Sequence, residues 1–251
     1  MARVDGSGDV LYGFHAVREA LRSGTRPLQR LILSRTDGRF AELTALARAA
    51  HIPFHIEPPA ALDRLVQHAG HQGVVGIIAS KEYAELDEIL SYAGSQAQSP
   101  FLLILDGVED PNNLGAVVRT AEAAGAHGII IPDRRSVGLT SAVAKASAGA
   151  LAHMRISRVQ NLSRLIELLQ QGGFWVYGFD PASSKCYTAL DYRGPIALVL
   201  GSEGKGVRPG VLKKCDETVA IPMRGKIASL NVSAAAAIAL FEVVRQRTGR
   251  L

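Results

Sequence analysis

An unbroken apolar run at residues 196–200, Ile-Ala-Leu-Val-Leu, leads straight into Gly201-Ser202-Glu203-Gly204-Lys205-Gly206. A run of that kind reads as a strand covered on both faces, and such strands belong to parallel sheets. The three glycines that follow let backbone N–H groups approach a ligand with no Cβ in the way. Ligands of open parallel sheets sit outside the carboxyl ends of the strands, where this loop falls. Downstream comes a second strand-and-tight-loop segment through Ile221, Met223, Ser229 and Asn231, and then an alanine-rich helix from Val232.

Known nucleotide motifs do not fit the glycine loop. A Walker loop needs Ser or Thr after Gly-Lys, and Lys205 is followed by Gly206. Gly204, Gly206 and Gly210 are spaced G-x-G-x-x-x-G, not G-x-G-x-x-G, and Pro209 interrupts them. Spacing alone leaves two readings open, a ligand cradle or a plain glycine-rich turn.

Strand and helix patterns alternate along the rest of the chain, which implies α/β architecture. Residues 10–80 read as a small α/β domain: helices over 12–21, 40–50 and 60–67, and strands over 28–33, 52–56 and 74–79. Residues 81–100 shift to charged and then small polar types and read as a flexible linker with two helical turns at most. From Phe101 onward, strands are expected over 101–105, 129–131, 151–156 and 175–179, with helices over 114–124, 141–147 and 162–171. The expected division is therefore 1–80, 81–100 and 101–251, the last a mostly parallel sheet with helices on both faces.

Composition narrows the partners. At 47% hydrophobic and 20% charged, the chain has the make-up of a globular protein with a sizeable core. A net charge of +5 favours an anionic partner such as nucleic acid. The polar N-terminus has no apolar signal core, and no run approaches the roughly 18 apolar residues of a membrane span, so a cytoplasmic location with no membrane contact is expected. Cys186 and Cys215 form no C-x-x-C pair and read as reduced thiols. His15, His51, His55, His68 and His71 cluster in the first domain without cysteine partners or an H-x-x-x-H pair, so no metal site is expected. They read either as RNA contacts or as ordinary loop and helix-end histidines.

Several polar residues admit two roles. Asn112 or Asn113 suits a helix N-cap, and Arg119 a solvated helix position; alternatively Asn113 and Arg119 face the ligand loop. Ser229 and Asn231 are good N-cap types before a helix whose alanines suit core or dimer packing.

Taken together, N-N-L-G-A-V-V-R-T-A-E-A-A-G (112–125), L-G-S-E-G-K-G-V (200–207) and I-P-M-R-G-K-I-A-S-L-N-V-S-A-A-A-A-I (221–238) resemble the three motifs of the SpoU (TrmH-like) family. These are 2′-O-ribose RNA methyltransferases of the knotted SPOUT superfamily. The front of the chain, Y-G-F-H-A-V-R-E-A-L with H-Q-G-V-V-G, is similar to the ribosomal-protein-like substrate-binding domain of one branch. That branch methylates a guanosine in the peptidyl-transferase loop of 23S rRNA. The resemblance implies a C-terminal trefoil knot, a homodimer with its active site at the knot interface, and S-adenosylmethionine as cofactor. It also implies cofactor contacts from Leu200, Gly201, Ile221, Met223, Ser229 and Leu230. The catalytic set it implies is Asn113, Arg119, Glu203, Ser229 and Asn231, with Arg119 acting on the hydroxyl and the others orienting it, the ribose and the cofactor. A tRNA 2′-O-methyltransferase and a non-catalytic RNA-binding assembly factor are the alternatives.

Overall fold

The computed structural model describes residues 9–23, 28–66, 69–78 and 82–249. His68, Gly24 and Lys81 lie outside them. The chain divides into two compact units, Met1–Ser80 and Lys81–Leu251.

The first unit runs β1 (Asp9–Tyr12), α1 (Phe14–Ser23), β2 (Leu28–Leu33), α2 (Phe40–Ala49), β3 (Phe54–Ile56), α3 (Pro59–Val66) and β4 (Val74–Ile78). Its sheet is ordered β1-β4-β2-β3, with β4 antiparallel to both β1 and β2, and β3 parallel to β2. Strand alternation splits the core: Leu31, Leu33 and Val74 pack with Phe14, Val17, Phe40 and Leu43 of α1 and α2. Ile32, Val75 and Ile77 pack on the other face with Leu62 and Val66 of α3. The helix expected from Tyr12 begins two residues later, because Tyr12 closes the edge strand β1 and Gly13, at φ +93°, turns the chain.

The second unit runs α4 (Leu86–Ser95), β5 (Phe101–Asp106), α5 (Pro111–Ala123), β6 (Gly128–Pro132), α6 (Ser141–Ala146), β7 (Ile156–Val159), α7 (Leu162–Gln171), β8 (Trp175–Phe179), β9 (Ile196–Gly201), α8 (Pro209–Leu212), β10 (Glu217–Val219) and α9 (Val232–Thr248). Its six strands lie in the order β10-β8-β9-β5-β6-β7, with every neighbouring pair parallel. In β5, Phe101, Leu103 and Leu105 face a core with α5 and α9, while Leu102 and Ile104 face α4 and α7. Both faces are covered, as the apolar runs required. Each such fully buried side chain contributes about 1.5–3 kcal/mol over leaving it in water.

Two expectations are corrected here. The segment expected as a flexible linker contains α4, whose Ile89 and Ala93 are fully buried against the sheet, so residues 82–100 pack within the second unit. The strand expected over 151–156 begins only at Ile156. Ala148 and Gly149, at φ +49° and +95°, reverse the chain into a 3-10 turn, Ala150–Ala152, that buries Leu151.

At the far end of α9, Arg247 donates to the carbonyl oxygens of Tyr192, Ser99 and Gly194 at 3.0, 2.6 and 2.7 Å. It thereby ties the last helix to the chain entering β5 and β9. Cys215 is half-buried and its thiol is pushed up to about 12 by burial, whereas Thr188 draws the Cys186 thiol down through a hydrogen bond. Among the described residues no His, Cys, Asp and Glu cluster could hold a metal ion, and no helix is long and apolar enough to cross a membrane.

Candidate active site

Parallel strands put all their carboxyl ends on one side, and the strand order reverses between β5 and β9. From β5 the chain steps outward to β6 and β7, while β9 and β8 lie on the opposite flank. The loops leaving β5 and β9 therefore open a crevice at the reversal, the usual ligand position in such sheets.

An ion pair with a buried carboxylate clamps the two loops together. Asp106, 2% exposed at the end of β5, accepts the Arg208 backbone N–H at 2.9 Å, and its Oδ1 accepts from Arg208 Nε and Nη2, each at 2.8 Å. The backbone hydrogen bond supplements the two-pronged guanidinium contact, the geometry that best offsets the cost of burying a carboxylate. Neither residue stood out in the sequence. They are 102 positions apart and no local spacing marks them as partners.

Between the clamp and the strand, residues 201–207 double back tightly. Gly206 N–H donates to Ser202 O at 2.9 Å, and Gly204 and Gly206 hold φ of +79° and +64°. The chain crosses itself so closely that a Cβ on Gly201 would collide with the Gly206 carbonyl and the Val207 amide. Glycine at 201 is thus a requirement of packing.

On one side of this loop lies a cavity of about 490 Å³. Leu200, Gly201, Ile221, Met223, Ser229 and Leu230, the six residues expected to hold a cofactor, all line it. Its volume falls within the usual range for small-molecule sites, and its wall is mostly apolar with backbone groups and hydroxyls interspersed. On the other side lies a polar cavity of about 670 Å³, lined by Glu109, Asp110, Asn113, Arg135, Glu203 and Arg208 among others. Ser202, Lys205, Gly206, Pro209 and Val232 line both, so the glycine loop is the partition between them. Arg135 reaches the polar cavity from a left-handed backbone, φ +62°, a conformation no sequence spacing announced.

Three of the five expected catalytic residues meet at the partition. Asn231 Nδ2 donates to Asn113 Oδ1 at 3.0 Å and to Glu203 Oε2 at 3.2 Å. Its Oδ1 meanwhile caps α9, accepting from Ser233 N–H at 2.8 Å and Ser233 Oγ at 2.6 Å. One amide therefore starts the helix and ties together α5 and the glycine loop. Asn113 is free for this contact because neither Asn112 nor Asn113 caps α5. Asp110 does so, accepting Asn112 N–H at 2.8 Å, with Pro111 at the first helical position. Ser229 lies in the apolar cavity instead and is exposed.

Arg119 is not part of this cluster. It is exposed on α5 and lines neither cavity. Six residues separate it from Asn113, about 9 Å of helical rise and roughly 120° around the axis. Within the single chain Asn231 joins Asn113 to Glu203, and Arg119 stands apart from these partition contacts.

Asn231→Asp separates the two jobs of this residue. A carboxylate still caps α9, so the cap is kept and stability should fall only by what the lost Nδ2 contacts contributed, at most about 3 kcal/mol. The donor to Glu203 becomes a like charge, and activity at this site is expected to fall about tenfold or more, since a hydrogen bond to a charged group contributes about 1.5–3 kcal/mol. Thermal melts and kcat/KM read the two effects separately; unchanged kcat/KM would remove the Asn231–Glu203 contact from function.

A parallel α/β sheet with a cofactor-sized apolar cavity walled off from a polar one by a glycine loop defines the class: α/β enzymes that hold a small cofactor against a second substrate. Residues 100–241 match the SpoU rRNA methylase family, and residues 10–84 match the RNA 2′-O ribose methyltransferase substrate-binding family. YacO of Bacillus subtilis, assigned by name to the TrmH family of tRNA/rRNA methyltransferases, is 45% identical over 95% of this chain and 96% of its own. An uncharacterized tRNA/rRNA methyltransferase of Synechocystis is 43% identical over 95% of this chain and 63% of its own. Among solved structures, the SpoU methyltransferase AviRb from Streptomyces viridochromogenes, in complex with the cofactor AdoMet, superposes with a TM-score of 0.72 at 25% identity, covering 99% of this chain and 94% of that one. The chain belongs to the SpoU rRNA methylase family.

Proposed function

We propose that this protein transfers a methyl group from S-adenosylmethionine to the ribose 2′-oxygen of a guanosine in the peptidyl-transferase loop of 23S rRNA. The observation that carries the reading is the pair of cavities sharing one glycine-loop wall, with Asn113, Glu203 and Asn231 bonded at their partition.

The residues present fit the cofactor. Gly201 presents backbone to the cavity, Leu200, Ile221, Met223 and Leu230 supply apolar wall, and Ser229 supplies a hydroxyl. When bound, S-adenosylmethionine supplies an electrophilic methyl group. The chain's own contribution is alignment, which can lower a barrier by about 7–11 kcal/mol. Glu203, held by Asn231, faces the polar cavity where a ribose hydroxyl would enter, and Arg135 and Lys205 offer cations for the adjoining phosphates. Arg119 acts as a cation that stabilises developing alkoxide, not as a base.

The site is completed by a second copy of the chain through the knotted region around residues 200–207 and 221–231, which is how the exposed Arg119 comes to serve a cavity it does not line in its own protomer. The match of residues 10–84 to an RNA 2′-O ribose methyltransferase substrate-binding family supports an RNA substrate. The choice of large-subunit rRNA over tRNA, in the cytoplasm and without a metal, rests on the sequence resemblance of the first unit.

Methyl transfer from labelled S-adenosylmethionine to a peptidyl-transferase-loop transcript and, in parallel, to bulk tRNA tests the reading, with mapping of the modified ribose. Label on one rRNA guanosine 2′-oxygen is expected. Label on tRNA alone overturns the substrate, and label on a base overturns the site chemistry.

A further inference from the structure

Two sequence motifs of the first unit remain unused by the site described above, Tyr12-Gly13-Phe14-His15 and His71-Gln72-Gly73. The fold brings them together. Phe14 N–H donates to Gln72 Oε1 at 3.4 Å, and Gly13 N–H to Val74 O at 3.3 Å. Ser34 N–H donates to Gly73 O at 2.8 Å, which adds the loop between β2 and α2 to the same end of the unit.

His15 is exposed on this surface, its Nδ1 3.4 Å from Arg18 Nη2, but His71 is not. His71 is buried, with Nδ1 accepting Gly73 N–H at 2.9 Å and Nε2 3.1 Å from Asp63 Oδ1, so it holds the turn in place. What the turn presents is cationic. Arg39 donates to Gln72 O at 3.1 Å while its guanidinium stands 5.2 Å from the centroids of both Phe14 and Phe40. Arg35 stands 5.3 Å from the Phe40 centroid, and Arg18 5.8 Å from that of Phe14.

The chemistry of these contacts is unusual for surface arginines. Aromatic faces and a carbonyl orient a guanidinium without cancelling its charge. Arg18 lies 4.0 Å from Glu42, which pairs more closely with Arg22, and Arg35 lies 3.7 Å from a highly exposed Asp37. Among the described residues no carboxylate pairs with Arg39. An arginine held in place yet left uncompensated has given up side-chain freedom before a ligand arrives, which favours an anion such as a phosphate that can take two hydrogen bonds from the guanidinium fork. Tyr12, 41% exposed, lies against the same turn at Gly70 and offers a ring face for an unpaired base.

We propose that the loop end of the first unit, centred on Arg39 with Arg35 and Arg18 beside it, is a phosphate-gripping surface for the substrate RNA. The proposal rests on the RNA-methyltransferase reading and deepens it: the first unit contributes affinity through backbone phosphates, not base identity. Removing an arginine that grips a phosphate weakens binding across sequences and lowers the slope of the salt dependence by about one.

The test is the full chain carrying Arg35→Glu and Arg39→Glu, titrated with the peptidyl-transferase-loop transcript over a range of salt. Expected are an affinity loss of about tenfold or more and a shallower salt slope by about one to two. KM for RNA should rise with kcat at saturating RNA unchanged, S-adenosylmethionine affinity should be unchanged, and Arg39→Lys should recover most of the slope. Wild-type affinity and slope in the double variant would overturn the proposal. If the double variant fails to fold, Arg35→Glu alone carries the test, since that side chain is 65% exposed; an unchanged slope there overturns it equally. Because binding is read without turnover, absence of methyl transfer by the wild-type chain would sink the enzymatic reading and leave this result standing on its own.

Discussion

Gly201→Ala abolishes S-adenosylmethionine binding and destabilises the second unit by about 3 kcal/mol or more, the upper end of what overpacking costs. The atoms in the way are backbone, the Gly206 carbonyl and the Val207 amide, so no rotamer change can relieve the collision. Either β9 or the 202–207 loop must move, and the loop is pinned at its far end by Arg208 on Asp106. The displaced loop is the wall of both cavities, so binding fails along with stability. A loss of this size lowers the melting temperature of a unit this large by roughly 6–12 °C. Gly204→Ala is the matched control: its φ of +79° is strained for alanine, costing about 1–2 kcal/mol, but nothing lies within 4 Å of the new methyl group. Calorimetric titration should find cofactor affinity abolished in the first variant and largely kept in the second. Wild-type affinity in Gly201→Ala would mean that the loop tolerates displacement and does not wall the cofactor site.

What the sequence disclosed about this region follows from where the information is stored. The run at 196–200 and the glycines after it are local signals, and β9 and its loop form where those signals place them. Ser229 and Asn231 both read as cap types before α9, and Asn231 is the one that accepts the Ser233 N–H. The start of α5 was also written locally, in Asp110-Pro111, but the two asparagines after it are equally good caps, and only the structure shows which one the helix uses. Other features depend on partners far along the chain. The four-residue β1 exists because β4 lies beside it, and α4 because Ile89 finds a covered position against Gly128, where a side chain would collide with it. The Asp106–Arg208 clamp and the aromatic seating of Arg39 belong to this second kind. Arg119 is a third case: its motif position is local, and within the single chain it lines neither cavity.

Arg119→Ala is expected to lower kcat by about 10²–10³, the usual cost of removing one group that stabilises developing oxyanion charge. Cofactor affinity should be unchanged, because Arg119 lines neither cavity, and so should stability within about 0.5 kcal/mol, because the side chain is exposed. Arg119→Lys should recover only part of the rate, since the ammonium keeps the charge but not the planar fork. Those outcomes place Arg119 in the chemistry without saying which copy it serves, and mixing subunits decides that. Asn231→Asp damages the partition contacts of its own chain and leaves Arg119 intact; Arg119→Ala does the reverse. If the arginine of one copy completes the cavity of the other, dimers formed from both variants contain one site with an intact partition and an intact arginine, and activity reappears in the mixture. If Arg119 serves its own protomer, each site in the mixture is defective in one or the other residue and activity stays at the level of the separate variants. Wild-type kcat in Arg119→Ala alone would remove the residue from the mechanism and leave Glu203 and the cations of the polar cavity to carry it.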